Sequence, residues 1–166
     1  MKLIFEAAQQ VQDFFDSQEW QFCFIGGVAL QRWAKPRLTN DIDLTLLTGF
    51  GSEEIFIDKI LERFPSRMED AKNFALQNRI LLLQTNNIGI DISLGGLFFE
   101  KSAVSRAVEY QFLSDVRLRV CTAKDLIVFK AFADRLQDWA DIQSIVLVQN
   151  DWIGNIFTSS LLRWSN

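Results

Sequence analysis

Residues 37–47 read Arg37-Leu-Thr-Asn-Asp-Ile-Asp-Leu-Thr-Leu-Leu47, a polar loop running into an aliphatic strand that carries two carboxylates, Asp41 and Asp43. Strand side chains alternate between faces, so these two share one face, roughly 6.6 Å apart along the strand. A carboxylate among Ile, Leu and Thr is costly unless it is solvated, paired or bound to a cation. The bland alternative is a strand entrance with one capping and one solvated carboxylate. A third acid, Asp91, lies in a second aliphatic run, Ile88-Gly-Ile-Asp-Ile-Ser-Leu94. On a neighbouring strand it would stand beside the pair at about 4.8 Å lateral spacing; otherwise it faces solvent a few residues past its turn. Three such carboxylates suit Mg²⁺, which prefers oxygen ligands at about 2.0 to 2.1 Å. Two such ions, about 3.5 to 4 Å apart, clamp the attacking and leaving oxygens of a phosphoryl displacement.

On the N-terminal side, Trp20 to Ile25 reads as a short buried strand stopped by a Gly26-Gly27 turn, and Val28 to Trp33 suits a helix closed by Pro36. Two glycines between a strand and a helix let backbone N–H groups approach phosphate oxygens, and the helix N-terminus favours an anion, so this turn would hold a triphosphate. Gly-Gly is also frequent in ordinary turns, and neither the P-loop nor the Rossmann glycine pattern is present. Arg37 and Thr39 precede the acidic strand, where they either reach phosphate or cap the loop.

Further out, Ile4, Ala7, Ala8, Val11, Phe14 and Phe15 recur at helical spacing and predict an amphipathic helix ending near Ser17. Ser52 is placed to cap a helix carrying Ile57, Ile60, Leu61 and Phe64, which Pro65 closes. Arg79 to Thr85 and Ile88 to Leu94 predict a hairpin across Asn86-Asn87, a pair that tolerates positive φ. A short helix is expected around Ala103 to Val108 and a strand around Val116 to Val120. Thr122-Ala-Lys-Asp125 resembles a capping box opening a helix with Leu126, Phe129, Ala133 and Leu136 on its apolar side. A further helix carries Trp139, Ile142, Ile145 and Val146, and a last one is expected over Trp152 to Trp164. Trp33, Trp139, Trp152 and Trp164 are expected in the core, and Arg135, Asp138 and Asp141 in charge pairs on the helix surface.

The composition narrows the chemistry. With 49% hydrophobic residues, 15 Phe and 5 Trp, the chain has the make-up of a packed domain. Its 166 residues fit a single one, with a core over about residues 1–121 and C-terminal helices over about 122–166. Lys and Arg total 17 against 21 Asp and Glu, a net charge of -4, which argues against general coating of nucleic acid while leaving room for a local basic groove. There is no His, so His-based triads and His-ligated zinc are excluded. Cys23 and Cys121 read as buried thiols. The absence of a signal-like N-terminus and of an apolar run near 20 residues predicts a cytoplasmic protein without a membrane partner.

Taken together, Phe24-Ile-Gly-Gly-Val-Ala-Leu30, Arg37-Leu-Thr-Asn-Asp-Ile-Asp-Leu44 and Ile90-Asp-Ile92 resemble the signature of the polymerase-beta-like nucleotidyltransferase superfamily: a glycine pair, a paired acidic strand and a later lone acid. Asp125-Leu-Ile-Val-Phe-Lys130 and the Asp138-Trp-Ala-Asp141 region resemble the helical end of small members, among them nucleotidyltransferase toxins of abortive-infection and toxin-antitoxin systems. The resemblance implies an α+β domain, a mixed or antiparallel sheet flanked by helices with a helical C-terminal part. It implies that Asp41 and Asp43 hold two Mg²⁺ ions, that Asp91 holds the one activating the acceptor, and that Gly26 and Gly27 bind the β- and γ-phosphates. The second glycine position is often Ser in that superfamily; Gly27 here leaves backbone contacts alone. Lys130 matches a lysine that approaches the triphosphate, although a helix Lys is more often at the surface.

The activity so implied is transfer of a nucleoside monophosphate from a nucleoside triphosphate to a hydroxyl of RNA, of a tRNA end, of a protein or of a small molecule, with release of pyrophosphate. A cognate antitoxin is an expected partner. The alternative is a non-catalytic module of the same fold acting through a protein partner. A metal-dependent phosphohydrolase also uses clustered acids, but the glycine pair ahead of Asp-x-Asp fits transfer better.

Overall fold

The computed structural model describes residues 1–149. The elements run α1 (Lys2–Ser17), β1 (Phe22–Phe24), α2 (Gly26–Trp33), β2 (Asp41–Leu47), α3 (Glu53–Leu61), α4 (Ala71–Asn78), β3 (Ile80–Thr85), β4 (Ile88–Gly95), α5 (Phe98–Ser105), β5 (Val108–Leu113), β6 (Val116–Val120), α6 (Ala123–Ala133) and α7 (Leu136–Val148). The strands form one mixed sheet in the order β3-β4-β2-β1-β6-β5. β1 pairs antiparallel with β2 and parallel with β6, while β2 pairs parallel with β4. The hairpins β3–β4 and β5–β6 supply the two ends of the sheet. The α+β class with a mixed sheet and a helical C-terminal part is thus as the sequence predicts.

Alternation on the strands separates two faces. Ile42, Leu44 and Leu46 of β2, Ile90 and Ile92 of β4, and Leu81 and Leu83 of β3 are fully buried. This is the apolar face on which α1 lies, with Phe15 edge-on to Phe22 at 5.1 Å between ring centroids. Burying such a set supplies most of the drive to fold, at about 1.5 to 3 kcal/mol per large side chain. The opposite face carries the polar alternates and is only partly covered, by α5 and the start of α2, on which α6 and α7 pack.

The β2 limits, the Asn86-Asn87 turn and the Thr122 cap are as expected. Asn86 and Asn87 have φ of 48° and 63°, and Thr122 Oγ1 accepts the Asp125 N–H at 3.3 Å. Other expectations need correction. Gly26 and Gly27 form the first turn of α2 instead of preceding it. Ser52 stands at the start of α3 but makes no side-chain cap bond. The short helix lies earlier, at Phe98–Ser105, and α4 and β5 were not anticipated. α4 buries only Ala71 and Ala75, too weak a stripe to be read, and β5 is an exposed edge.

α7 turns a different side inward from the one its apolar residues mark. It buries Asp138, Asp141 and Ile145, leaving Leu136 93% and Trp139 52% exposed, so neither is core. Trp33 is half-buried, its Nε1 donating to the Cys121 carbonyl at 2.8 Å. The expected helix over 152–164, with Trp152 and Trp164, lies outside the described residues. Among those described, no helix is long and apolar enough to cross a membrane.

Candidate active site

The parallel register of β2 and β4 sets Asp43 opposite Asp91 and Asp41 opposite Gly89. In-register neighbours share a face, so the three acids stand on the polar side of the sheet together with Thr45 and Ser93. The N-terminus of α2 abuts them. Ile25 N–H donates to the Asp43 carbonyl at 2.9 Å, and the Gly27 N–H lies near enough to the Asp43 carboxylate to favour its charged form. The space is tight at both positions, and only Gly26 also has a backbone conformation that favours glycine. A Cβ at Gly26, where φ is +54°, would overlap the Asp43 carboxylate, and one at Gly27 would overlap the Thr39 hydroxyl.

The electrostatics are those of a site short of positive charge. Burial, with the Asp41 and Asp91 charges adding to it, pushes Asp43 up to about 6, against the opposing Gly27 N–H and Arg135. Asp91 is also raised, by burial first and by Asp41, although Arg67 and Arg135 oppose the shift. Hard carboxylate oxygens that repel one another are the donor chemistry a divalent cation satisfies, so the residues present fit Mg²⁺. Among the described residues no three acids are yet gathered at metal-ligand spacing. Asp91 is instead paired with Arg67, whose Nη2 donates to Asp91 Oδ1.

Two clefts meet at Gly26 and Asp43. One, of about 270 Å³, is polar and is lined by Gly26, Gly27, Arg37, Thr39, Asp41 and Lys130, so every residue expected to contact nucleotide borders it. The other, of about 550 Å³, has aromatic walls from Phe50, Phe99, Phe129 and Phe132, with Arg79 and Glu100 at its edge.

Around the polar cleft the charges form one network. Arg37 makes a two-pronged contact with Asp141, Nε to Oδ1 at 2.8 Å and Nη2 to Oδ2 at 2.7 Å. Lys130 Nζ lies 3.0 Å from Asp138 Oδ1 and 2.6 Å from Asp141 Oδ2. Thr39 Oγ1 is 3.2 Å from Asp41 Oδ1. The surface reading of Lys130, Asp138 and Asp141 is therefore overturned, because all three are buried where α6 and α7 close on α2. Burial pushes the Asp141 carboxyl up, but hydrogen bonds from Arg37, Lys130 and Gln137 outweigh it and hold it at about 2.

Sequence reasoning passed over two cations at the site. Arg135 is an exposed partner of Asp138, as expected of a surface pair, yet it borders both clefts and its field reaches Asp43. Arg67 lies in a connecting segment with no periodicity to mark it.

The family model described as "Nucleotidyl transferase AbiEii toxin, Type IV TA system" matches residues 12–150 of the chain. No curated protein matches it. Among solved structures, ANT(2")-Ia in complex with adenylyl-2"-tobramycin is similar over 99% of this chain and 100% of its own, with 14% identity and a TM-score of 0.58. The lincosamide antibiotic adenylyltransferase LnuA, lincomycin-bound, covers 84% of this chain and 94% of its own at 13% identity and a TM-score of 0.52. An antigenic nucleotidyltransferase-like protein from Paracoccidioides brasiliensis covers 87% and 74%, at 13% identity and a TM-score of 0.50. At these identities the likeness to solved structures concerns the fold.

Proposed function

The chain belongs to the AbiEii nucleotidyl transferase toxin family of type IV toxin–antitoxin systems, and from that premise we propose that it is a Mg²⁺-dependent enzyme moving a nucleoside monophosphate from a nucleoside triphosphate to a hydroxyl acceptor. The observation that carries this reading is the common face of Asp41, Asp43 and Asp91, with the N-terminus of α2 packed directly against Asp43.

The β- and γ-phosphates lie in the polar cleft, against the N–H groups at Gly26 and Gly27 and beside Arg37, Thr39 and Lys130. Lys130 acts from a buried position, its charge shared with Asp138 and Asp141, while Arg135, paired with Asp138 but exposed, meets phosphate at the rim. The nucleoside extends past Asp43 into the aromatic cleft, whose rings offer stacking surfaces. Asp41, Asp43 and Asp91 would hold Mg²⁺, which when bound would supply charge stabilisation at the phosphorus and acidify the acceptor hydroxyl. The acceptor oxygen forms a bond to the α-phosphorus as the bond from that phosphorus to the bridging oxygen breaks. Pyrophosphate departs in line, and the acceptor proton passes to the Asp91 carboxylate. A cognate antitoxin is the expected protein partner.

The test incubates the purified chain with each α-labelled nucleoside triphosphate, Mg²⁺ and, in turn, total cellular RNA, the chain alone, and hydroxylated antibiotics of the kinds named with ANT(2")-Ia and LnuA. Asp41→Ala/Asp43→Ala protein is the control. Label in one acceptor, with matching pyrophosphate and none in the control, supports transfer and names the acceptor class. If no label moves, triphosphate binding by calorimetry points to a missing acceptor or partner, and absence of binding favours the non-catalytic module.

A further inference from the structure

Arg67 stands beside the acidic face, in the segment joining α3 to α4. Its backbone is fixed to the edge of the sheet. Arg67 N–H donates to the Leu82 carbonyl at 3.1 Å, Ser66 Oγ donates to the same carbonyl at 3.1 Å, and Ser66 bridges Leu83 of β3. From there the side chain crosses β4 at Gly89. A Cβ at Gly89 would come within 3.0 Å of Arg67 Nη1 and 3.7 Å of Asp41 Cβ, so the missing side chain makes the bed on which the guanidinium lies. A glycine weakens a strand, and in β4 close approach of a guanidinium is the compensation.

The guanidinium reaches Asp91 Oδ1 through Nη2, with 35% of the arginine side chain and 26% of the aspartate exposed. This pair is therefore on the open side of the site, outside the packed core, and it engages a carboxylate that the proposed reaction needs for metal. An oxygen held in a charge-assisted bond to guanidinium has to give up that bond to take a divalent ion. A guanidinium, singly charged and diffuse, does not replace a divalent ion as an electrophile at phosphorus.

We propose that Arg67 is a positioning residue that holds the Asp91 carboxylate until a divalent cation displaces it, making metal binding on the Asp91 side an exchange of cations. The inference rests on the metal reading above and adds an order to it. The Asp41–Asp43 side, where no arginine pairs directly with either carboxylate among the contacts described, accepts a cation first, and the Asp91 side accepts one only as Arg67 is released. Breaking a partly exposed ion pair weakens the competing metal by about two- to fivefold.

The test follows Mn²⁺ binding to the full chain by calorimetry and by the loss of the free-ion paramagnetic resonance signal. It compares the unaltered protein with Arg67→Met, Arg67→Lys and the Arg67→Met/Asp91→Asn pair. Arg67→Met keeps an aliphatic stem over Gly89 without the charge, and is expected to tighten Mn²⁺ binding about two- to fivefold. Arg67→Lys is expected to return it towards the original affinity, and adding Asp91→Asn to abolish the gain. Thermal melting of the Arg67→Met protein within a degree or two of the parent separates this from a folding effect. Equal or weaker Mn²⁺ binding by Arg67→Met than by the unaltered protein, with Mn²⁺ still bound by the latter, overturns the exchange and leaves the metal reading standing. Absence of Mn²⁺ binding in every protein overturns both.

Discussion

Asp43 is ionised at neutral pH against its own surroundings: burial and two neighbouring carboxylates raise it to about 6 from an ordinary value of 3.8. Between those values the folded chain holds a proton that the unfolded chain has lost, so stability falls as pH rises through the window and stays reduced above it. The penalty is about 3 kcal/mol at most. Asp43→Asn should therefore raise the melting temperature of the metal-free protein at pH 8 and leave it nearly unchanged at pH 4, while lowering transfer about a hundredfold or more. Paired melts at the two pH values and an α-label assay check this; a mutant less stable at pH 8 would contradict it. At Gly26 the constraint is steric. Gly26→Ala must both hold φ at +54° and displace the Asp43 carboxylate, whereas Gly49, with φ of +72°, has open space around it. Urea melts should show Gly49→Ala losing about 1 kcal/mol, the backbone term alone, and Gly26→Ala losing more, together with its transfer activity.

Helix α6 presents residues to both clefts, and its start is fixed by chemistry visible in the chain. Thr122 Oγ1 accepts the Asp125 N–H and donates to Asp125 Oδ2 at 2.7 Å, and Arg106 pairs with the same carboxylate. Thr122→Ala should cost about 1 kcal/mol by denaturant titration. Ser52 heads α3 with the same residue preference but without a cap bond, so Ser52→Ala should change stability by only a few tenths of that. The contrast shows what an element-level rule can deliver. Residue type marks where a helix can begin, and the packing around its first turn decides whether the hydroxyl is used. α7 makes the same point in reverse, since its apolar residues suggest one inward face while the ion network with Lys130 and Arg37 fixes another.

Across the whole molecule, that network joins the C-terminal helices to the loop ahead of β2, and so ties the wall of the polar cleft to its floor. Removing its central cation leaves Asp138 to Arg135 alone and Asp141 to Arg37 and Gln137. Lys130→Met should lower stability by about 1.5 to 3 kcal/mol, read as a fall in melting temperature that Asp138→Asn in the same chain partly restores. Asp141, held at about 2, contributes stability that is complete above about pH 4 and is lost as pH falls towards 2; an acid titration of Asp141→Asn should lack that component. The sequence by itself determined the parts whose physics is local. The Asp41–Leu47 strand with two acids on one face follows from a period of two, the Asn86-Asn87 hairpin from tolerance of positive φ, and a glycine pair at a helix start from the need for close approach, although the pair lies inside the first turn of α2 and not before it; the α+β class follows from the family resemblance. Only the tertiary structure decided that β4 lies parallel to β2 with Asp91 opposite Asp43, that Lys130, Asp138 and Asp141 are buried together, and that Arg67 lies over Gly89 against Asp91. Each of these joins residues far apart in the chain, and which buried charge meets which depends on the relative placement of packed elements, a quantity no local spacing carries.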